Sequence, residues 1–256
     1  MNTVNTEDVE QQLRKHFGYS AFLPGQRRVV ELLLQGRSAA AVFPTGGGKS
    51  LCYQLPALLL PGLTLVVSPL LSLMKDQLEF LRSRNIPAGG LDSTMDRERY
   101  NRTVELARAG DLKILTISVE RFKNERFRRS LERVAVTLLV VDEAHCISEW
   151  GHNFRPEYLK IPRYRSAFAV KQVLLLTATA SPRVLEDMCD KFAIPCENAV
   201  VTGFHRPNLQ LEVRPTAEAD KEEALLELIR RDPALPTIVY TTRQKTAERI
   251  AELLHP

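Results

Sequence analysis

The sequence is short of several things, and each shortage excludes a class of protein. No run approaches the roughly 18 apolar residues of a membrane-spanning helix. The greasiest stretch, Leu55 to Val67, is broken by Pro56, Pro61 and Gly62. The four cysteines (Cys52, Cys146, Cys189 and Cys196) are scattered, with no C-x-x-C pair. Zinc sites draw on closely spaced ligand pairs, so no zinc is expected in this segment and a reduced, structural role is expected for all four thiols. The start of the chain is polar and acidic, unlike a secretory signal or an Arg-rich transit peptide. No membrane partner is therefore expected, and cytoplasmic residence is, with nucleoid association in a bacterium and a eukaryotic nucleus left open. There is no internal repeat and no low-complexity tract.

Charge is equally modest: 35 basic against 31 acidic residues leave a net +4 over 256 residues. That permits a polyanionic partner without demanding one. The densest local charge runs from Glu120 to Arg133, where Arg121, Lys123, Arg126, Arg128, Arg129 and Arg133 interleave with Phe122 and Phe127. A solvated amphipathic helix accounts for this pattern better than phosphate contact does. Hydrophobic residues make up 44% of the chain, enough for a sizeable core.

What the sequence does have is a phosphate-binding signature. Phe43-Pro44-Thr45-Gly46-Gly47-Gly48-Lys49-Ser50 follows the apolar run 39–43 and precedes a helical pattern. Strand, glycine-rich loop and Lys-Ser opening a helix is the arrangement that lets backbone N–H groups and a helix N-terminus surround anionic phosphates. Lys49 is expected to reach the β- and γ-phosphates, and the Ser50 hydroxyl to hold Mg²⁺. Phe43 occupies the position where the strict pattern has its first glycine. About ninety residues further on, Thr137-Leu138-Leu139-Val140-Val141 ends in Asp142-Glu143. A buried parallel strand would deliver both acids to the sheet's C-terminal edge. Asp142 is assigned to the metal and Glu143 to activation of the attacking water. With Lys49, these make an ATPase with ATP and Mg²⁺ as cofactors.

Asp142-Glu143-Ala144-His145 beside the phosphate loop resembles a superfamily 2 helicase, and the surrounding motifs resemble the RecQ family of DNA helicases. Phe17-Gly18-Tyr19 with Pro24-Gly25-Gln26 is similar to that family's adenine-reading motif, although Leu23 stands where the family usually carries Arg. Ser68-Pro69-Leu70-Leu71-Ser72-Leu73-Met74-Lys75-Asp76-Gln77 is similar to motif Ia, and Thr177-Ala178-Thr179-Ala180 to motif III. Ile238-Val239-Tyr240 opens a segment like motif IV. The stretch from Cys146 through Trp150, His152, Phe154 and Arg155 to Pro156 resembles the family's aromatic-rich loop, the most specific of these matches.

The resemblance implies an ATP-dependent 3′-to-5′ DNA helicase acting on single-stranded and duplex DNA. It implies that Gln26 pairs with adenine while Tyr19 stacks on it, and that Thr45, Gly46, Gly47 and Gly48 shape the loop. His145, Thr177 and Thr179 would couple the nucleotide to domain movement, and Trp150, His152, Phe154 and Arg155 would contact nucleic acid. For Trp150, the only tryptophan, a core position is the alternative to a stacking platform. An RNA-directed DEAH-box protein is disfavoured by the aromatic-rich loop.

Alternating strands and helices predict an α/β fold: a P-loop RecA-like domain with a parallel sheet covered by helices, over 1–205. Strands are expected at 39–43, 63–67, 113–117, 136–141 and 172–176. Residues 206–256 read as a hinge and the incomplete start of a second RecA-like domain, with strands at 209–213 and 237–240 and helices at 218–231 and 243–254. The family's motif V, its motif VI arginine finger, zinc-binding module and winged helix have no counterpart here. The chain therefore reads as a fragment of a longer helicase, and the alternative to a working motor is a module that binds ATP and single-stranded DNA with negligible turnover.

Overall fold

The computed structural model describes residues 6–69, 71–92, 95–150, 154–203, 209–231 and 236–254. The chain divides into two compact units, Met1–His205 and Arg206–Pro256. In the first, helices α1 (Thr6–Phe17) and α2 (Gln26–Leu34) precede β1 (Ala39–Val42), α3 (Leu51–Leu59), β2 (Leu63–Ser68), α4 (Leu71–Ser83), β3 (Ala88–Leu91) and α5 (Arg97–Ala109). Then come β4 (Ile114–Ser118), α6 (Glu125–Leu131), β5 (Val136–Val141), α7 (Ile161–Ala167), β6 (Gln172–Thr177), α8 (Pro182–Lys191) and β7 (Ala199–Val201).

The strands form one seven-stranded sheet in the order β3-β4-β2-β5-β6-β1-β7, every neighbouring pair parallel. Successive side chains leave a strand on opposite faces, and the apolar residues sort accordingly. Leu63, Leu65, Val67, Leu139, Val141, Val173 and Leu175 join one core with α5 to α8. Val66, Leu138, Val140, Leu174 and Leu176 join the other with α1, α2 and α3. Both faces are covered, which is why these strands read as nearly continuous apolar runs. Because all seven run the same way, Val42 lies level with Thr177 and Val67 with Val141 at a single edge.

Two strands escape the sequence pattern. In β3, Gly89 and Gly90 weaken any strand signal, yet a Cβ on Gly90 would come within 2.5 Å of Leu78 Cδ1. The glycines let α4 and α5 lie close on this edge strand. The three-residue β7 is too short to carry a pattern. The basic segment 120–133 is also not one helix. Asn124 breaks it by accepting from Phe127 N at 3.1 Å, so that α6 starts afresh after a 3₁₀ turn over Val119–Lys123. Phe122 and Phe127 are buried, and Tyr164 stacks on Phe122 at 4.4 Å.

The second unit contains α9 (Lys221–Arg231), after a 3₁₀ turn at Glu218–Asp220, and α10 (Gln244–Leu254). The strands expected at 209–213 and 237–240 do not form. Leu211, Val213, Ile238 and Tyr240 are instead strongly exposed. Propensity alone does not make a strand, which needs a neighbouring backbone to pair with and a face to bury.

Candidate nucleotide and nucleic-acid site

The shared sheet edge gathers the candidate residues. Phe43 continues β1, its N–H donating to Thr177 O at 3.1 Å, and its ring turns into the core. There it lies against Gly25, where a Cβ would sit 2.9 Å from the ring and 2.6 Å from Thr202 Cγ2. This explains the departure at the loop's first position: the side chain is absorbed by packing while the backbone still turns. Gly46 and Gly48 take positive φ (84° and 65°), closed to most side chains. Lys49 Nζ donates to the carbonyls of Phe43 at 3.2 Å and Pro44 at 3.5 Å, so its ammonium lies over the loop's first residues. Ser50 caps α3, and its carbonyl accepts from Gln54 N at 3.0 Å.

Beside the loop is a cavity of about 380 Å³, lined by Tyr19, Leu23, Gln26, Gly46, Gly48 and Ser50 together with Gln54, Gln77 and Phe80. That volume falls in the range of small-ligand sites. Larger hollows between α4 and α5 and between α5 and α6 touch none of the phosphate-loop residues. Gln26 is almost wholly buried. Its Nε2 donates to Gly48 O at 3.0 Å and Gly47 O at 3.3 Å, and its Oε1 accepts from Leu23 N at 2.9 Å. The amide thus ties the cavity wall to the phosphate loop. Tyr19 is exposed and stacks on Phe17, with the Arg84 guanidinium 5.8 Å from its ring. Gln54 and Gln77, joined at 2.8 Å, are wall residues that sequence reasoning missed.

At the end of β5, Asp142 Oδ2 accepts from Ser68 Oγ at 3.3 Å and Oδ1 from Glu143 N at 3.0 Å. Burial, then the neighbouring charge of Glu143, pushes its carboxyl above the ordinary value, against the opposing pull of Lys49. Glu143 adopts left-handed backbone (φ 49°, ψ 45°), uncommon for a residue with a side chain and typical of constrained sites. Its Oε2 lies 3.2 Å from His145 Nδ1.

His145 Nδ1 also lies 2.8 Å from Thr177 Oγ1, which in turn donates to Thr179 O at 3.0 Å and accepts from Thr179 N at 3.3 Å. Since the Thr177 hydroxyl proton is spent on Thr179, Nδ1 of His145 must be the donor. Hydrogen bonding with Cys146, then with Glu143, lifts His145 to about 9, so the ring is an imidazolium at neutral pH. The structure therefore brings Glu143, His145, Thr177 and Thr179 into one network. Tyr158, buried and unanticipated, donates to Asp142 O at 3.3 Å.

The aromatic segment is split. Trp150 is 61% exposed, so it is not a core residue. Arg183 of α8 lies over its ring, Cζ 3.4 Å from the centroid. Phe154 and Arg155 are half-buried, and Arg155 Nη1 reaches Pro69 O at 3.5 Å while its N–H donates to Cys146 O at 3.0 Å. His152 lies outside the described residues. Among the described residues the cysteines are free, no group of three His, Cys, Asp or Glu side chains forms a metal cluster, and no helix is long and apolar enough to cross a membrane.

The chain is 40% identical over 244 residues to the ATP-dependent DNA helicase RecQ of Bacillus subtilis (strain 168), covering 94% of this chain and 41% of that protein. It is 41% identical over 265 residues to the ATP-dependent DNA helicase Q-like 5 of Arabidopsis thaliana, covering 98% of this chain and 28% of that one. The chain thus spans less than half the length of these relatives. Among solved structures, the helicase MrfA aligns with 99% of this chain and 42% of its own at a TM-score of 0.66 and 19% identity. The Mycobacterium smegmatis helicase Lhr aligns with 95% and 35% at 0.64. These structural likenesses establish the RecA-like helicase fold. Residues 23–188 match the DEAD/DEAH box helicase family, and the chain belongs to it.

Proposed function

We propose that this chain is the ATP-binding part of a RecQ-type DNA helicase, coupling ATP hydrolysis to 3′-to-5′ unwinding of duplex DNA. The observation that carries the reading is the hydrogen-bond network at the sheet edge. It links the candidate water-activating Glu143 to Thr177 and Thr179, which lie at a different strand end, through the His145 ring. The similarity to DNA helicases of the RecQ type along nearly the whole chain supports the choice of substrate. Residues 1–205 are the first RecA-like domain in this reading, and 206–256 the hinge and beginning of the second.

The cavity would take ATP, and Gly46, Gly47 and Gly48 would hold its phosphates. Backbone N–H groups and the Lys49 ammonium neutralise the phosphates, Lys49 exchanging the carbonyls of Phe43 and Pro44 for phosphoryl oxygen. Tyr19 stacks on the adenine. Gln26 reads its edge by exchanging a loop carbonyl for the base, which makes loop shape depend on base occupancy. Thr45, exposed beside the glycines, helps to shape the loop. Ser50 and Asp142 are hard oxygen donors suited to Mg²⁺, which supplies charge neutralisation at the phosphates when bound. Glu143 accepts the proton of the attacking water, held in position by His145. Trp150 stacks on single-stranded bases, with His152, Phe154 and Arg155 completing the contact surface.

The test is ATP hydrolysis by the chain with and without single-stranded DNA, beside Lys49→Ala. DNA-stimulated turnover that Lys49→Ala abolishes is the expected result. Near-normal turnover in that variant refutes the loop assignment. Bound but unhydrolysed ATP in the unsubstituted chain favours the non-turning-over module.

A further inference from the structure

Helix α8 reaches the aromatic segment. Ser181 caps it by accepting from Val184 N, and Val184 and Met188 are buried in the core, which fixes the helix's rotation. Arg183, Asp187 and Lys191 follow one another at spacings of four and so share a face. Lys191 pairs with Asp187. Burial pushes the Asp187 carboxyl up, but Lys191, Ser148 and the charge of Arg183 together outweigh it and hold the carboxyl below its ordinary value. Ser148 belongs to the segment leading to Trp150 and accepts from Trp150 N at 3.3 Å. Two contacts thus join α8 to that segment: Asp187 meets Ser148, and the Arg183 guanidinium carbon lies 3.4 Å from the centroid of the Trp150 ring.

The stacking distance of 3.4 Å leaves no room for a base between Arg183 and the indole. A ring with one face covered and 61% residue exposure must keep its other face open to solvent. We propose that Arg183 is a positioning residue: it covers one face of Trp150 and holds the indole so that the opposite face receives a single-stranded nucleobase. The proposal rests on the reading of Trp150 as a DNA-stacking residue. It adds a residue outside the aromatic segment, on the helix that directly follows Thr177 and Thr179. The indole is thereby sandwiched between guanidinium and base, and the cation draws on the ring's electron-rich face without touching DNA. Because α8 follows the strand end that holds Thr177 after only the four residues 178–181, the stacked base is joined through the chain to the network around Glu143.

Trp150 is the sole tryptophan, so fluorescence excited at wavelengths that the six tyrosines do not absorb reports this ring alone. The experiment follows Trp150 emission in the full 256-residue chain, with acrylamide as quencher and oligodeoxythymidylate as titrant, for the unsubstituted chain, Arg183→Ala and Arg183→Lys. A labelled oligodeoxythymidylate gives affinity independently by anisotropy. Arg183→Ala is expected to raise acrylamide quenching about twofold, as the second face is uncovered. It should also weaken DNA binding about two- to fivefold, the size of an exposed cation–π contact. Arg183→Lys should fall between, since an ammonium keeps the charge but not the planar stack. The slope of log affinity against log salt should stay the same in Arg183→Ala. A slope reduced by about one would make Arg183 a phosphate contact and overturn the positioning role. Unchanged quenching, or unchanged DNA affinity, would overturn it as well. If emission of the unsubstituted chain ignores DNA that anisotropy shows to be bound, the DNA role of Trp150 itself fails. A normal response preserved in Arg183→Ala removes Arg183 alone.

Discussion

Replacing Thr177 by Val tests the network at its centre. Thr177 is fully buried, and its hydroxyl takes part in three hydrogen bonds: from His145 Nδ1 at 2.8 Å, from Thr179 N at 3.3 Å, and to Thr179 O at 3.0 Å. Val keeps almost the same shape, so packing on β6 changes little and the loss is polar. His145 retains Glu143 Oε2 at 3.2 Å, which offsets part of one bond. With each intramolecular bond worth about 1 kcal/mol net, the cost is about 2–3 kcal/mol in urea unfolding of the first unit. Thr177→Ser keeps the hydroxyl and loses one methyl, about 1 kcal/mol. Stability alone ranks the two variants without separating packing from chemistry, so ATP turnover decides. Thr177→Val should lower kcat with little change in ATP affinity, whereas Thr177→Ser should stay near the unsubstituted rate. A stability loss below about 0.5 kcal/mol in Thr177→Val, within the range of inconsequential substitutions, would refute the network. Equal turnover in the two variants would refute its link to Glu143.

Glu143→Gln should leave ATP bound and unhydrolysed in a filter-binding and turnover pair; loss of ATP binding would contradict a water-activating role. Trp150→Ala should keep basal ATPase and overall stability, because the ring is exposed, while DNA stimulation falls; undiminished stimulation would remove it from the DNA surface. The pH dependence of stability carries the signature of His145. Its value in the folded chain, about 9, lies above the ordinary 6.5 of the unfolded chain. The stabilisation is therefore complete below about pH 6.5 and is lost as pH rises through about 9. Urea midpoints should fall across that window relative to His145→Gln, and parallel profiles would show that folding does not raise the ring's pKa.

How much of this could be read in the sequence differs from residue to residue. The glycine loop before Lys49 and the strand ending at Asp142-Glu143 were legible as shapes because each is a local arrangement, a strand with a chemically distinctive end. His145 and Thr177 stand 32 positions apart, and their 2.8 Å contact comes from the adjacency of β5 and β6. Only the resemblance, not spacing, coupled them beforehand. Gln26 could be singled out by motif, but its bonds to Gly47 and Gly48 depend on α2 lying against the loop. Strand β3 was hidden because Gly-Gly reads as a turn until Leu78 of α4 is seen to occupy the space a Cβ would need. Conversely, 237–240 has strand composition and makes no strand, and Ile238 and Tyr240 bury no face.

The sequence by itself determined the alternation of apolar strands with helices, the conformational freedom at Gly46 and Gly48, and the delivery of two carboxylates at a strand end. All three follow from short-range sterics and from a period-two burial pattern that the chain carries locally. Tertiary structure alone decided which strand ends share an edge, that the imidazole bridges an acid to a threonine, and that Trp150 lies outside the core with Arg183 on its face. Those contacts join residues far apart in the chain, and only the parallel register of the sheet and the rotation of α8 against its core fix their distances.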